Sequence, residues 1–168
     1  MTSRSNLILI GMPAAGKSTV GRILAERLSR PFMDTDRDIE NREGRNLWEI
    51  IQAEGMDAFL RKEEAHILSI QTENSVISTG GSAVYGERAM AHLKRLGVVI
   101  YLRADMAILS GRIEDPDKRG VVRKPGQDLR SLFEERDALY LGYADRVVTC
   151  PAGESPEATA DRVRNVIK

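Results

Sequence analysis

The chain has 168 residues, enough for one domain with a sizeable core. Its 25 Lys and Arg match its 25 Asp and Glu, and a formal net charge of zero argues against a general nucleic-acid binder, which needs a net basic face. The single cysteine, Cys150, excludes an internal disulfide, and no apolar run approaches a membrane span, so the expectation is a soluble, cytoplasmic monomer.

Asn6 to Ile10 is short, apolar and β-rich, which predicts a buried strand. A glycine-containing turn follows over 11–16. Lys17 to Leu28 carries Val20, Ile23, Leu24 and Leu28 on one face of a helix. Pro31 to Met33 predicts a second strand ending at Asp34. Short helices over 36–42 and 47–53 break at Gly44, and a longer one runs over 57–70. A third strand over 75–78 ends in Thr79-Gly80-Gly81. A helix over 86–96, a strand over 98–102 and a helix over 104–113 follow. Glu114 to Asp128 has two prolines, two glycines and no apolar period, which predicts a mobile lid loop. A helix over 128–143, a fifth strand over 146–149 and a closing helix over 156–167 complete the chain. Ser155 caps that last helix, with Glu157 in its first turn.

Strands alternate with helices, so the expected fold is α/β: a single P-loop domain over 1–168, with a five-stranded parallel sheet sandwiched by helices. In such sheets ligands bind beyond the carboxyl ends of the strands.

Beyond strand one, Gly11-Met12-Pro13-Ala14-Ala15-Gly16-Lys17-Ser18 matches G-x-x-x-x-G-K-[ST] in its required strand-to-helix setting. The glycines let backbone N–H groups turn toward phosphate, and the next helix aims its positive end at the same anion. Lys17 places a charge at the β/γ-phosphates, and the Ser18 hydroxyl suits Mg²⁺. The expected nucleotide contacts are Gly11, Ala14, Ala15, Gly16, Lys17, Ser18 and Thr19.

Beyond strand two stand Asp34 and Asp36. Asp34 suits a metal-bound water, and Asp36 suits an acceptor hydroxyl that it orients or deprotonates. An ordinary helix cap is the alternative for such acids. Gly81, beyond strand three, allows close approach of a ligand to the backbone, or is a simple turn. Arg112, Arg119, Arg123 and Arg136 have the planar fork that pairs with phosphate and carboxylate. Arg119 and Arg123 lie in the lid, where closure would exclude water. Trp48 sits on an apolar helical face and is expected in the core. His66 and His92 lack metal-ligand spacing and are read as structural or surface groups, and Cys150 as a buried small side chain.

The ordered set resembles the shikimate kinase family over nearly the whole chain. It comprises the P-loop, Asp34-Thr35-Asp36, Gly55 and Phe59 with Glu63, Thr79-Gly80-Gly81, Tyr101-Leu102, Arg112, Arg119, and Arg136 with Tyr140, Ala144 and Asp145. The resemblance implies ATP- and Mg²⁺-dependent phosphorylation of the shikimate 3-hydroxyl. It assigns Lys17, Asp36 and Arg119 to catalysis, and Ser18 and Asp34 to the metal. Asp36, Gly81 and Arg136 would hold the acceptor, with Arg136 at its carboxylate, and the residues over 36–64 would form an acceptor-binding helical region. Arg112 and Pro156 would flank the adenine. Against the family's G-E-x-x-F-R-x-x-E, Met56 and Leu60 replace the acid and the arginine. Ser82 replaces a third glycine, and Gly120 the proline after the lid arginine. Another small hydroxylated acid or polyol as acceptor, and a nucleotide-binding module without an acceptor, are the alternatives.

Overall fold

Strand β1 (Asn6–Ile10) is buried along its whole length, as a five-residue apolar run must be when it lies at the middle of a sheet. The structure, a computed structural model describing residues 4–168, arranges β1 with β2 (Phe32–Asp34), β3 (Val76–Ser78), β4 (Gly97–Ala104) and β5 (Arg146–Cys150) in the order β2-β3-β1-β4-β5. Every neighbouring pair is parallel.

The pleat sends Leu7 and Leu9 to one face and Ile8 and Ile10 to the other. On the first face, α1 (Lys17–Leu28) and α8 (Pro156–Val166) bury Val20, Leu24 and Val163. On the second, α4 (Met56–Leu68), α5 (Glu87–Leu96) and α7 (Leu129–Tyr143) bury Ile67, Met90, Leu93, Leu132 and Tyr140. A smaller cluster forms beyond the sheet edge. There α2 (Thr35–Glu43) and α3 (Leu47–Glu54) contribute Ile39 and Ile50, which meet Phe59 and Val122.

Caps fix the helix starts. Asp34 accepts from the Arg37 N–H at 3.3 Å, Asp128 from the Ser131 N–H at 2.7 Å, and Ser155 from the Ala158 N–H at 3.2 Å. Asn46 and Glu49 close a reciprocal capping box on α3. Asp145 ties β4 to the chain ahead of β5. Its Oδ2 accepts from the Val99 N–H at 2.9 Å and from Arg4 at 2.6 Å.

Three local expectations need correction. The helix expected from Ala104 is α6 (Met106–Arg112), because Ala104 is still paired with Cys150 in the sheet and Asp105 takes the cap position. A short 3-10 turn at Ala83–Tyr85 was not foreseen. Trp48 is 39% exposed and not in the core, because the buried residue of α3 is Ile50. Segment 114–128 has neither helix nor strand, yet Val121 and Val122 within it are buried. No helix among the described residues is long and apolar enough to cross a membrane.

Candidate active site

The carboxyl ends of β1, β2 and β3 open into a cleft of about 800 Å³. The turn after β1 wraps into it with left-handed backbone at Ala14 (φ 65°) and Gly16 (φ 96°), a concavity that points N–H groups inward. Lys17 opens α1 from within that turn and is buried. Its Nζ donates to the carbonyls of Gly11 and Met12, each at 2.7 Å. Burial pulls the Lys17 ammonium down to about 8, against the charge of Asp36. Ser18 Oγ donates to Asp34 Oδ2 at 2.6 Å, so a hydroxyl and a carboxylate share one spot at the foot of the cleft.

Asp36, in the first turn of α2, also lines the cleft. Burial pushes its carboxyl up to about 6, with Lys17 pulling the other way. The Gly80 N–H donates to the Thr35 hydroxyl at 3.1 Å, which fastens the turn after β3 to the start of α2. Arg112 crosses the cleft mouth and donates to the Ala14 carbonyl at 3.0 Å. Pro156, at the first position of α8, forms the opposite wall together with Glu154 and Thr159.

A second cavity of about 40 Å³ adjoins the first and shares Pro13, Asp36, Gly81 and Arg119 with it. Arg136 is fully buried at its back. The Arg136 guanidinium stands 5.2 Å over the Tyr85 ring and donates from Nε to the Tyr85 hydroxyl at 3.3 Å. Its Nη2 donates to the Val122 carbonyl in segment 114–128. Its Nη1 has no partner, and a Cβ on Gly81 would stand 3.0 Å from it. The Gly81 carbonyl itself accepts from the Tyr140 hydroxyl at 2.6 Å. A cation with one free donor edge in a small enclosed cavity is the arrangement that takes an anionic group of a ligand.

A family model described as shikimate kinase matches residues 13–168. The chain belongs to the shikimate kinase family. It is a small-molecule kinase. The shikimate kinase of Pseudomonas entomophila is 42% identical over 146 residues, 85% of each chain. The solved shikimate kinase from Acinetobacter baumannii in complex with shikimate superposes with a TM-score of 0.87 at 31% identity, covering 99% of this chain and 94% of that one. Threonine synthase-like 1 of Macaca fascicularis is 38% identical over 165 residues, 97% of this chain but only 22% of that protein's length.

Within the family frame, the residues named from sequence divide into three groups. Ala14, Ala15, Gly16, Lys17, Ser18, Thr19, Asp34, Asp36, Gly81, Arg112, Arg119 and Pro156 all line the large cleft. Arg136 lines only the inner cavity. Gly11 lines neither. A Cβ there would stand 2.6 Å from the Leu102 carbonyl oxygen, so its bareness serves the approach of β1 to β4. Arg123 turns away from the cleft, pairing with Asp117 at 3.1 Å and donating to the Gln127 carbonyl at 2.7 Å.

Two side chains received no role from the sequence. Tyr85 clamps Arg136 from the unforeseen 3-10 turn, and Glu63, named only within the family resemblance, lies buried between α4 and the turn after β3. Glu63 Oε2 accepts from Ser82 Oγ at 2.7 Å, so the serine that stands for the family's third glycine has a function in packing. Leu60 and Arg61 border a separate hollow of about 170 Å³ with Glu63, Ser82 and Tyr85. Arg61 is exposed and is not at the inner cavity. The signal for Glu63 was available, because a charged residue on the apolar side of α4 is buried only with a purpose.

Proposed function

We propose that the chain transfers the γ-phosphoryl group of ATP to the 3-hydroxyl of shikimate, giving shikimate 3-phosphate and ADP. The observation that carries this reading is continuity. One cleft joins the phosphate loop and Lys17 to Asp36, and leads on to an inner cavity that ends at a free edge of Arg136. In this reading the loop N–H groups and Lys17 bind the β/γ-phosphates, and Arg112 and Pro156 flank the base. Arg136 Nη1 takes the acceptor carboxylate, which orients the hydroxyl toward Asp36. Asp36 accepts the hydroxyl proton as the phosphorus–oxygen bond forms. Arg119, at the seam of both cavities, neutralises charge that develops on the transferred group.

The Ser18 hydroxyl and the Asp34 carboxylate, 2.6 Å apart, form a hard oxygen pair that fits Mg²⁺, an ion that keeps several waters and takes phosphate oxygens as further ligands. When bound, Mg²⁺ neutralises charge on the phosphates. No group of three or more His, Cys, Asp or Glu among the described residues offers a metal a full protein cage, in keeping with a site completed by nucleotide.

The test is ADP release from ATP and Mg²⁺ with and without millimolar shikimate. Strong stimulation, at roughly 1–100 turnovers per second, is the expected result. ATP binding without stimulation by shikimate would sink the acceptor assignment. A panel of hydroxylated acids and polyols then decides for the second reading. Leu60 favours that reading, because it adds no charge to the inner cavity, whose arginines among the described residues are Arg136 and, at the seam, Arg119.

A further inference from the structure

Two carboxyl oxygens in this region have no hydrogen-bond partner, Asp36 Oδ1 and Glu63 Oε1. They come from different helices, α2 and α4, yet converge on one point. A Cβ on Gly80 would stand 2.4 Å from the first and 2.5 Å from the second, so the two oxygens lie no farther apart than the sum of those lengths. Among the described residues no Lys or Arg side chain bonds to either oxygen. Lys17 Nζ is spent on two carbonyls, and Arg136 directs Nε to Tyr85 and Nη2 to Val122. Leu60, one turn before Glu63, brings no charge.

Two ionised carboxylates that face each other in a buried place repel strongly, and a proton on one converts that repulsion into a hydrogen bond. Glu63 is the deeper of the two at 1% exposure, whereas Asp36 borders the open cleft. The groups that face Glu63 are Asp36 from α2, Lys17 from α1, Arg136 and Tyr140 from α7, and Ser82 from the turn after β3. His66 is one turn on along its own helix. Burial first, and the Asp36 charge second, keep the Glu63 proton on up to about 8.

Resting on the phosphotransfer reading above, we propose that Glu63 is a positioning residue that works as a neutral carboxylic acid. Its Oε1–H donates to Asp36 Oδ1 and fixes the Asp36 carboxylate so that Oδ2 meets the acceptor hydroxyl. The bare Gly80 is required for this contact, because any side chain there fills the gap. The neutral form also spares an anionic acceptor a second buried negative charge.

The test compares Glu63→Gln, which keeps a neutral N–H donor, with Glu63→Met, which has similar size and no donor. Turnover and KM are followed with pH on the full chain. Glu63→Gln is expected to keep kcat within about threefold and to abolish the fall in kcat above about pH 8. Glu63→Met is expected to lose roughly tenfold or more in kcat with KM for ATP unchanged. Lys17 also titrates near 8, but its effect persists in the Gln variant and enters KM for ATP. A Gln variant as impaired as the Met variant, or a Met variant with full kcat, overturns the proposal. If the wild type does not turn over shikimate, the acceptor reading fails separately. The infrared C=O stretch of a protonated carboxyl at about pH 7, lost in Glu63→Gln, then supports the Glu63 assignment. Its absence from the wild type overturns that assignment, and this readout stands even if Glu63→Met does not fold.

Discussion

At the scale of single residues, the site is a group of buried charges whose protonation is set by depth and by one another. Asp36 makes no hydrogen bond to Lys17, whose Nζ faces two carbonyls. Lys17 therefore leaves both carboxylate oxygens free, and in the proposed reading Oδ2 serves the acceptor. Asp36→Asn is expected to lower kcat by about 10²- to 10⁴-fold, the range for loss of a positioned base, while the Kd for ATP measured by calorimetry stays unchanged. Equal losses in both would place Asp36 on the nucleotide side. Glu63 makes a separate, thermodynamic prediction. Burial raises its pKa in the fold from the ordinary 4.5 to about 8, so between those values the folded chain holds a proton that the unfolded chain has released. Stability from this group is complete below about 4.5 and is lost as pH rises through about 8. Glu63→Gln removes that loss. The melting temperature of the variant relative to wild type should climb from pH 5 to about 8 and then level off. A difference that does not change with pH would mean that Glu63 ionises normally in the fold. Arg136, the phosphate loop and Asp36 could be named from the sequence because each sits in a motif with a fixed spacing, and the fold brings them to the two adjoining cavities. Tyr85 and the Glu63–Asp36 approach could not, because residues so far apart in the chain meet only through the packing of α4 against the turn after β3.

At the scale of elements, the strands were the easiest to read and the seams between elements the hardest. β1 announces itself as five apolar residues, and the caps Asp34, Asn46, Asp128 and Ser155 mark helix starts. The join at Ala104 was misread because Ala and Leu favour a helix locally, whereas pairing of Ala104 with Cys150 holds the strand two residues longer. Trp48 was misplaced by periodicity alone, since a helix of 8 residues, about two turns, needs to bury little besides Ile50. Helix α1 shows the opposite case, a residue whose propensity is overruled by packing. Gly21 is a poor helix former, and alanine there would gain about 1 kcal/mol from propensity. However, a Cβ would stand 2.7 Å from Phe32 Cε2 and 3.3 Å from Leu9 Cδ1, between the helix and the sheet. Overpacking of this kind costs about 1–3 kcal/mol, so the clash wins. Gly21→Ala should lower stability by about 1 kcal/mol in urea unfolding with an unchanged slope. A stabilised variant would show that Phe32, at the partly exposed sheet edge, moves aside freely.

At the scale of the whole molecule, segment 114–128, expected from its composition as a mobile lid, is bound to α2, α3 and α4 more firmly than that composition suggests. Val122 packs with Ile39, Ile50 and Phe59, Val121 joins the main core, and the Val122 carbonyl holds Arg136. Between these anchors and α6, the turn carrying Arg119 lies over the seam of the two cavities. It rests on α3, where a Cβ on Gly120 would stand 2.8 Å from Leu47 Cβ and 3.1 Å from the Trp48 backbone nitrogen. A ligand that draws Arg119 toward phosphate must therefore shift a turn that touches the only tryptophan of the chain. Because Trp48 is more than a third exposed, its emission responds to any change in what covers it. Saturating ATP with Mg²⁺ should alter Trp48 fluorescence. Arg119→Ala should bind nucleotide with little of that change, and Trp48→Phe should give no signal at all. Full nucleotide occupancy by calorimetry with unchanged emission would mean that Arg119 acts from the position it already holds. The lid would then be a fixed wall of the cleft, and specificity for the acceptor would rest on the inner cavity alone.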